Sequence, residues 1–222
     1  LSSLLAEFNA RIPAEDIRLL FVRSASPRFF CAGANLNALR LIDASSIGRW
    51  VAHGHAVFAQ IEDLPVPTVA RVEGFALGGG LELALACDLI FAGETAELGQ
   101  TEASLGFVAG WGGSARLPRR VGVARAKELF YSARRVPATE ALGYGLVDFC
   151  GDAAALEVRC QEFSAAVKAG GARAHAEHKH LVTAAVGFSR SQVAAAEAAA
   201  SVACVACPDT AARLHRFLSG RK

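Results

Sequence analysis

An α/β domain followed by an all-helical segment is the fold class that the sequence predicts. Two observations carry it. Apolar, β-rich runs alternate with stretches of helical periodicity over the first two thirds of the chain, and from Asp152 onward the chain is alanine-rich with no strand signal. The composition agrees, since 222 residues that are 53% hydrophobic and 20% charged suit a globular chain with one sizeable core.

Each element has its own reason. Residues 2–10 carry a helical pattern. IRLLFVRS, Ile17–Ser24, is apolar and β-branched enough for a buried strand, and ASPRFFCAGANL turns out of it. Ser46 to Leu64 has helical periodicity with Ser46 placed as the N-cap. PTVARVEG, Pro67–Gly74, predicts a second strand that stops at glycine. GFALGGGLELALACD, Gly74–Asp88, reads as a helix, and LIFAG, Leu89–Gly93, as a third strand. Gly110 to Arg134 predicts one or two helices and LVDFC, Leu146–Cys150, a fourth strand. The expected division is a core over residues 1–150 and a helical segment over 151–222.

Charge and cysteine usage narrow the function classes. A net charge of +2 supplies no field that would draw the chain to nucleic acid or an anionic membrane, so neither is expected as a partner. The basic clusters RLPRR, Arg116–Arg120, and SGRK at the C-terminus are expected to be solvated surface. No apolar run reaches the ~18 residues of a membrane span, and no leader pattern is present. The six cysteines lack a disulfide-framework spacing, which predicts a reducing compartment, and a soluble, cytoplasmic protein is expected. Cys204 and Cys207 form a CxxC, expected to be two small apolar helix residues. In HAEHKH, His175, His178 and His180 do not share one helix face, so a surface helix and no metal site is expected. His53 and His55 project to different faces of one helix and are expected to be structural. The chain contains no methionine and its first residue is Leu, so it is not expected to begin at a translation start.

The chemistry is concentrated in Gly78–Gly80 and the carboxylate that follows. A phosphate-wrapping loop would need Lys-Ser/Thr after the last glycine, where Leu81 and Glu82 stand. A dinucleotide fingerprint would need a different glycine spacing, and a carboxylate there would repel a pyrophosphate. The third use is an oxyanion hole, in which backbone N–H groups at a helix start approach a reacting oxygen because no Cβ intervenes. Glu82 lies one turn beyond Gly79 among apolar neighbours, placed as a base beside whatever the Gly79 N–H holds. Glu102 lies between two glycine-flanked segments and alone would be ordinary.

FFCAGANL (Phe29–Leu36), ARVEGFALGGGLELALACDLIFAGE (Ala70–Glu94), LGQTEASLGFVAGWGGSARLPRRVG (Leu98–Gly122) and AKELFYSARRVPATEALGYGLVD (Ala126–Asp148) together resemble the enoyl-CoA hydratase/isomerase (crotonase) family. The match runs over roughly residues 1–150, with a weaker one in DTAARLHRFLSGRK. The resemblance implies a spiral of ββα turns followed by a C-terminal helical trimerisation segment, trimers often pairing into hexamers. It implies an acyl-CoA thioester substrate whose enolate is held by the N–H groups of Ala34 and Gly79. By position, Glu82 activates water for attack at the β-carbon, Glu102 exchanges the proton at the α-carbon, and Gly110 is a backbone donor near the water. Ala32, Gly33 and Trp111 join them as substrate-binding residues. No metal or redox cofactor is implied, because coenzyme A is part of the substrate. The expected activity is enoyl-CoA hydration. Isomerisation and a non-catalytic, RNA-binding role are the alternatives.

Four positions depart from the family pattern: Asn35 for Asp, Asn37 for Lys, Ala109 for Pro, and Trp111 for a small residue. They bear on acyl-chain size and CoA affinity, and the bulk of Trp111 is expected to narrow the acyl pocket. The family pattern also implies about two more strands ahead of Leu1–Ala10, so the first β-unit is expected to be incomplete, with an exposed sheet edge.

Overall fold

The computed structural model describes residues 1–220, so Arg221 and Lys222 of the C-terminal basic cluster lie outside the described residues. A first helix, α1 (Ser2–Glu15), precedes a repeated pattern of two short strands and a helix. β1 (Leu20–Val22) and β2 (Phe29–Cys31) lead through the short α2 (Leu36–Leu39) into α3 (Ile47–Glu62). β3 (Thr68–Val72) and β4 (Phe75–Leu77) lead into α4 (Gly79–Leu85). β5 (Leu89–Gly93) and β6 (Glu97–Gly99) lead through a 3₁₀ turn (Glu102–Leu105) into α5 (Gly113–Ser132), which breaks at Gly122. β7 (Val136–Pro137), α6 (Ala138–Gly143) and β8 (Phe149–Gly151) close the core.

Within each repeat the two strands go to different sheets. One sheet has the order β1-β3-β5-β8, all parallel, and the other β2-β4-β6-β7, parallel except for the last pair. A parallel neighbour needs a crossover, and here each crossover is one complete turn of the spiral. The main core fills the space between the sheets and the helices, with Ile61, Val72, Leu81, Leu98, Leu117 and Leu129 among its buried side chains. A smaller cluster of Val69, Phe91, Leu156 and Cys160 lies outside the first sheet.

After residue 151 the described chain is helical: α7 (Ala153–Ala169), α8 (Ala172–Ala185), α9 (Arg190–Val205) and α10 (Pro208–Ser219). Among the described residues no single helix is long and apolar enough to cross a membrane. The α8 helix is tied to the core by a buried cation. Lys179 has a side chain 5% exposed, and its Nζ lies 3.0 Å from Asp88 Oδ2 and donates to the carbonyls of Ile61 (3.1 Å) and Val66 (3.2 Å). Asp88 in turn accepts from the Thr68 N–H and hydroxyl, so one carboxylate joins β3 to α8.

Several expectations are corrected. Gly74–Asp88 is not one helix, because Phe75–Leu77 pairs with Phe29–Cys31 and Glu97–Gly99 as a strand. The fourth strand sits later than Leu146–Cys150, at Phe149–Gly151, while Leu146 and Val147 are core residues of the preceding turn. Ser46 occupies the N-cap of α3, but its hydroxyl bonds to Asp43 rather than to the helix. Arg116 and Arg120 of RLPRR are not solvated: their side chains are 11% and 16% exposed and paired with Glu62 and Asp148. Cys207 is the N-cap position before α10 rather than a helix residue.

Lys179→Met removes the charge and three donors while keeping the apolar stem. The expected result is a loss of about 1–3 kcal/mol in unfolding free energy, since the Val66 carbonyl loses its side-chain donor and the Ile61 carbonyl and Asp88 each lose one of theirs. Urea denaturation measures it, and a change below about 0.5 kcal/mol would mean that the clamp contributes nothing beyond packing.

Candidate active site

The eight residues singled out in the sequence, namely Ala32, Gly33, Ala34, Gly79, Glu82, Glu102, Gly110 and Trp111, all line one cavity of about 230 Å³. It lies where the loop after β2, the start of α4, the 3₁₀ turn after β6 and the loop before α5 meet α3. Apart from Thr101, its other side-chain walls are apolar, with Leu39, Ile47, Trp50, Val51 and Leu77 among them.

Two backbone donors open into it. A Cβ at Gly79 would stand 3.7 Å from the Ala34 nitrogen, and a Cβ at Gly33 would stand 3.3 Å from the Gly79 nitrogen. Neither the Ala34 nor the Gly79 N–H has an acceptor among the described residues. The Gly79 N–H is one of the free donors of a helix start, where the local field also favours negative charge. Gly78 makes this start possible. Its φ of +54° suits glycine, and a Cβ there would lie 3.0 Å from Glu102 Oε1. Asn35, one of the departures from the family pattern, caps α2, its side-chain oxygen accepting from the N–H groups of Asn37 (2.9 Å) and Ala38 (3.4 Å).

Glu82 is 1% exposed, and its Oε1 accepts hydrogen bonds from the backbone N–H groups of Trp111 (2.7 Å) and Gly113 (2.8 Å). Burial pushes its pKa up, while those two N–H groups and the nearby Arg116 and His55 pull it back. For Glu102 the backbone donor is its own N–H, which lowers the pKa less than burial raises it. Burial lifts its pKa to about 7, and the charge of Glu82 adds to the rise. The buried Gln100 amide lies against Glu102. With its nitrogen turned toward the carboxyl it donates to both oxygens, at 3.2 and 3.0 Å. With its oxygen turned there instead it suits a protonated Glu102.

The loop that carries Trp111 is held at both ends of one residue. The Trp111 N–H goes to Glu82, and its carbonyl accepts from Arg116 Nη1 at 2.7 Å, while Arg116 is itself paired with Glu62 of α3. The sequence reading missed Gln100, Arg116, Trp50 and Gly54 at this site. Gly54 had a signal, as a glycine inside a helical pattern, and the others had none beyond composition. His53 and His55 are exposed, as are His178 and His180. His175 is half-buried, and burial lowers its pKa.

A sequence model of the enoyl-CoA hydratase/isomerase family matches residues 9–222. Among curated relatives, a mitochondrial methylglutaconyl-CoA hydratase from Rattus norvegicus is 46% identical over 133 residues, 60% of this chain and 42% of that protein. A probable enoyl-CoA hydratase 2, mitochondrial, from Arabidopsis thaliana is 43% identical over 150 residues, 68% of this chain and 50% of that protein. These matches thus span half or less of the relatives' length. The crystal structure of an enoyl-CoA hydratase from Bacillus anthracis superposes with a TM-score of 0.90 at 34% identity, over 99% of this chain and 85% of that one.

The raised pKa of Glu102 links its proton to folding. A carboxyl group whose folded pKa lies near 7, above its ordinary 4.5, holds the proton more tightly in the folded state. Its contribution to stability is complete below the ordinary value and is lost as pH rises through about 7. Glu102→Gln removes that loss, so the variant should gain thermal stability over the parent at pH 8 and not at pH 4.5. An equal difference at both pH values would mean that Glu102 titrates as an ordinary carboxylate.

Proposed function

The chain belongs to the enoyl-CoA hydratase/isomerase family, and from that premise we propose that it adds water across the 2,3 double bond of an enoyl-CoA thioester. The observation that carries this reading is the pairing, in one cavity, of two acceptor-free backbone N–H groups with two carboxyl groups whose partners differ.

The thioester oxygen sits between the N–H groups of Ala34 and Gly79. Glu82 takes a proton from water as the water oxygen bonds to the β-carbon, and the double-bond electrons move onto the thioester oxygen as an enolate. The two N–H groups hold that charge in a water-poor site. The enolate collapses as the α-carbon takes the proton of Glu102, and the thioester becomes a 3-hydroxyacyl thioester. Proton exchange with solvent resets the pair. Environment supports this assignment of roles. Two backbone donors favour ionised Glu82 as the base, whereas Glu102, with a pKa of about 7, retains a proton to give near neutral pH. The reaction as written uses no metal or redox group, with coenzyme A entering as part of the substrate. An acyl group ending in a second carboxylate, such as methylglutaconyl, would face Glu82 and Glu102 with no basic side chain among the lining residues, which favours an uncharged acyl group.

The helical segment 151–222 serves in this reading as an assembly surface for a homotrimer or a pair of trimers. Val182, Val186, Val202, Val205 and Leu218 are all at least 60% exposed, apolar side chains that assembly would cover. Sedimentation at micromolar concentration is expected to give a trimer or hexamer, and a stable monomer would remove the assembly role.

Loss of the enoyl-thioester absorbance with crotonyl-CoA tests the reaction. Glu82→Gln and Glu102→Gln should each lower kcat by about 10²–10⁴, with thioester binding retained because the oxyanion donors are backbone. Hydration by the parent should fall as pH rises above about 7, and Glu102→Gln should lose that limb. If Glu102→Gln hydrates normally while Glu82→Gln is dead, the two-carboxylate mechanism falls and a one-base mechanism takes its place, whereas a parent that shifts the double bond without hydrating it is an isomerase.

A further inference from the structure

We propose that Gly54 is a specificity-determining residue: it seats the Trp111 indole as the end wall of the acyl site, and this glycine–tryptophan pair sets how long an acyl chain the site accepts. The seat is a property of the fold. Its consequence for substrates rests on the acyl-CoA reading above.

Gly54 is buried in the middle of α3, between the exposed His53 and His55. A glycine inside a helix costs roughly 1 kcal/mol relative to alanine. Its backbone is helical, so conformational freedom is not what the position requires. Space is. A Cβ at Gly54 would overlap Cδ1 and Nε1 of the Trp111 indole and lie 2.5 Å from its Cγ. On the far side of the same ring, a Cβ at Gly79 would lie 2.5 Å from Cζ3 and 2.7 Å from Cε3. The indole therefore spans from the backbone of α3 to the backbone of α4, with its five-membered ring on Gly54 and its six-membered ring on Gly79.

Three further constraints keep it there. Trp50 packs edge-on at 5.0 Å between ring centroids, and Phe58 does the same at 5.6 Å. The Trp111 backbone is fixed on one side by Glu82 and on the other by Arg116. The ring thus has no free direction in which to swing away from a longer chain. A side chain at position 54 would push the indole toward the cavity and toward Gly79, whereas removing the indole would open the space between α3 and α4. One methylene too many in a rigid apolar pocket changes kcat/KM by roughly 10–200-fold, so the wall is a steep gauge of length.

The test is a double-mutant cycle between Gly54→Ala and Trp111→Ala, with Trp111→Phe as a milder opening that keeps an aromatic core side chain. Two readouts are taken. The first is the ratio of kcat/KM for trans-2-octenoyl-CoA to that for crotonyl-CoA. Trp111→Ala should raise it at least about tenfold, and Trp111→Phe should raise it less. Gly54→Ala should lower it in the parent and change it less than about twofold when Trp111 is already Ala, because its target is gone. The second is thermal stability. Gly54→Ala should lower Tm in the parent and raise it in the Trp111→Ala background, where only its helix propensity acts. The proposal is overturned if Gly54→Ala raises Tm in the parent, or if its effects on the ratio are equal in the two backgrounds. If Trp111→Ala does not fold, the cycle is run against Trp111→Phe with the same signs expected. If the parent hydrates no enoyl-CoA, the hydratase reading falls and the Tm cycle alone judges the seat, additive changes overturning it.

Discussion

The site depends on one carboxylate oxygen. Glu82 Oε1 accepts the N–H groups of both Trp111 and Gly113, residues far along the chain from it, and by doing so it docks the loop before α5 onto the first turn of α4. A charge inside an apolar helix is costly unless its lone pairs are used, and two backbone donors use them. The dependence is mutual. Without the carboxylate two N–H groups would be buried unpaired, and without the loop the carboxylate would lose the donors that favour its ionised form. The carbonyl side of Trp111 is fixed independently, through Arg116 to Glu62 of α3, so one residue is anchored to two helices at once.

That anchoring also separates the two carboxyl groups chemically. They share a cavity, and like charges close together cannot both ionise easily. Which one ionises first is decided by partners. Glu82 has two fixed N–H donors and the nearby Arg116, while Glu102 has a neutral amide, Gln100, and its own backbone N–H. Because the amide can present either its nitrogen or its oxygen, Gln100 accommodates Glu102 in both protonation states, whereas the backbone donors at Glu82 suit only one. Burial raises both carboxyl groups, and the difference in their hydrogen-bond partners then sets them apart.

Much of this was legible in the sequence because the site is local. Gly78–Gly80 and Glu82 lie within a single turn, and the eight singled-out residues come from three short stretches of chain. The fold class was legible for a similar reason: β3 and β5, at five residues, are long enough to show as apolar runs. β2, β4 and β6, at three residues each, are not. A strand that short has no readable period and exists because its neighbours in the spiral supply the ladder, which is why β4 was absorbed into the helix that follows it. Arg116 and Arg120 were misread because their partners, Glu62 and Asp148, lie far away in sequence, and a cluster of arginines with distant acids looks the same on paper as a solvated patch. Lys179 and Asp88 are a third such pair.

The glycine at position 79 connects the reacting end of the cavity to its closed end. Its missing Cβ allows a helix to begin with its first N–H free beside that of Ala34. The same missing Cβ leaves a space that, in this chain, an indole fills. Donor and wall are thus two faces of one residue, and they cannot be tuned separately. Anything that presses on the indole presses on the backbone that carries the donor, and anything that shifts the start of α4 moves the floor under the indole. The loop then closes the circuit, because the residue that supplies the indole also supplies an N–H to Glu82, one turn along the same helix. Base, donor and wall therefore move as one body. Such a site is precise for the geometry it is built for and has little slack for another, which follows from packing aromatic rings directly against backbone rather than against side chains that can yield.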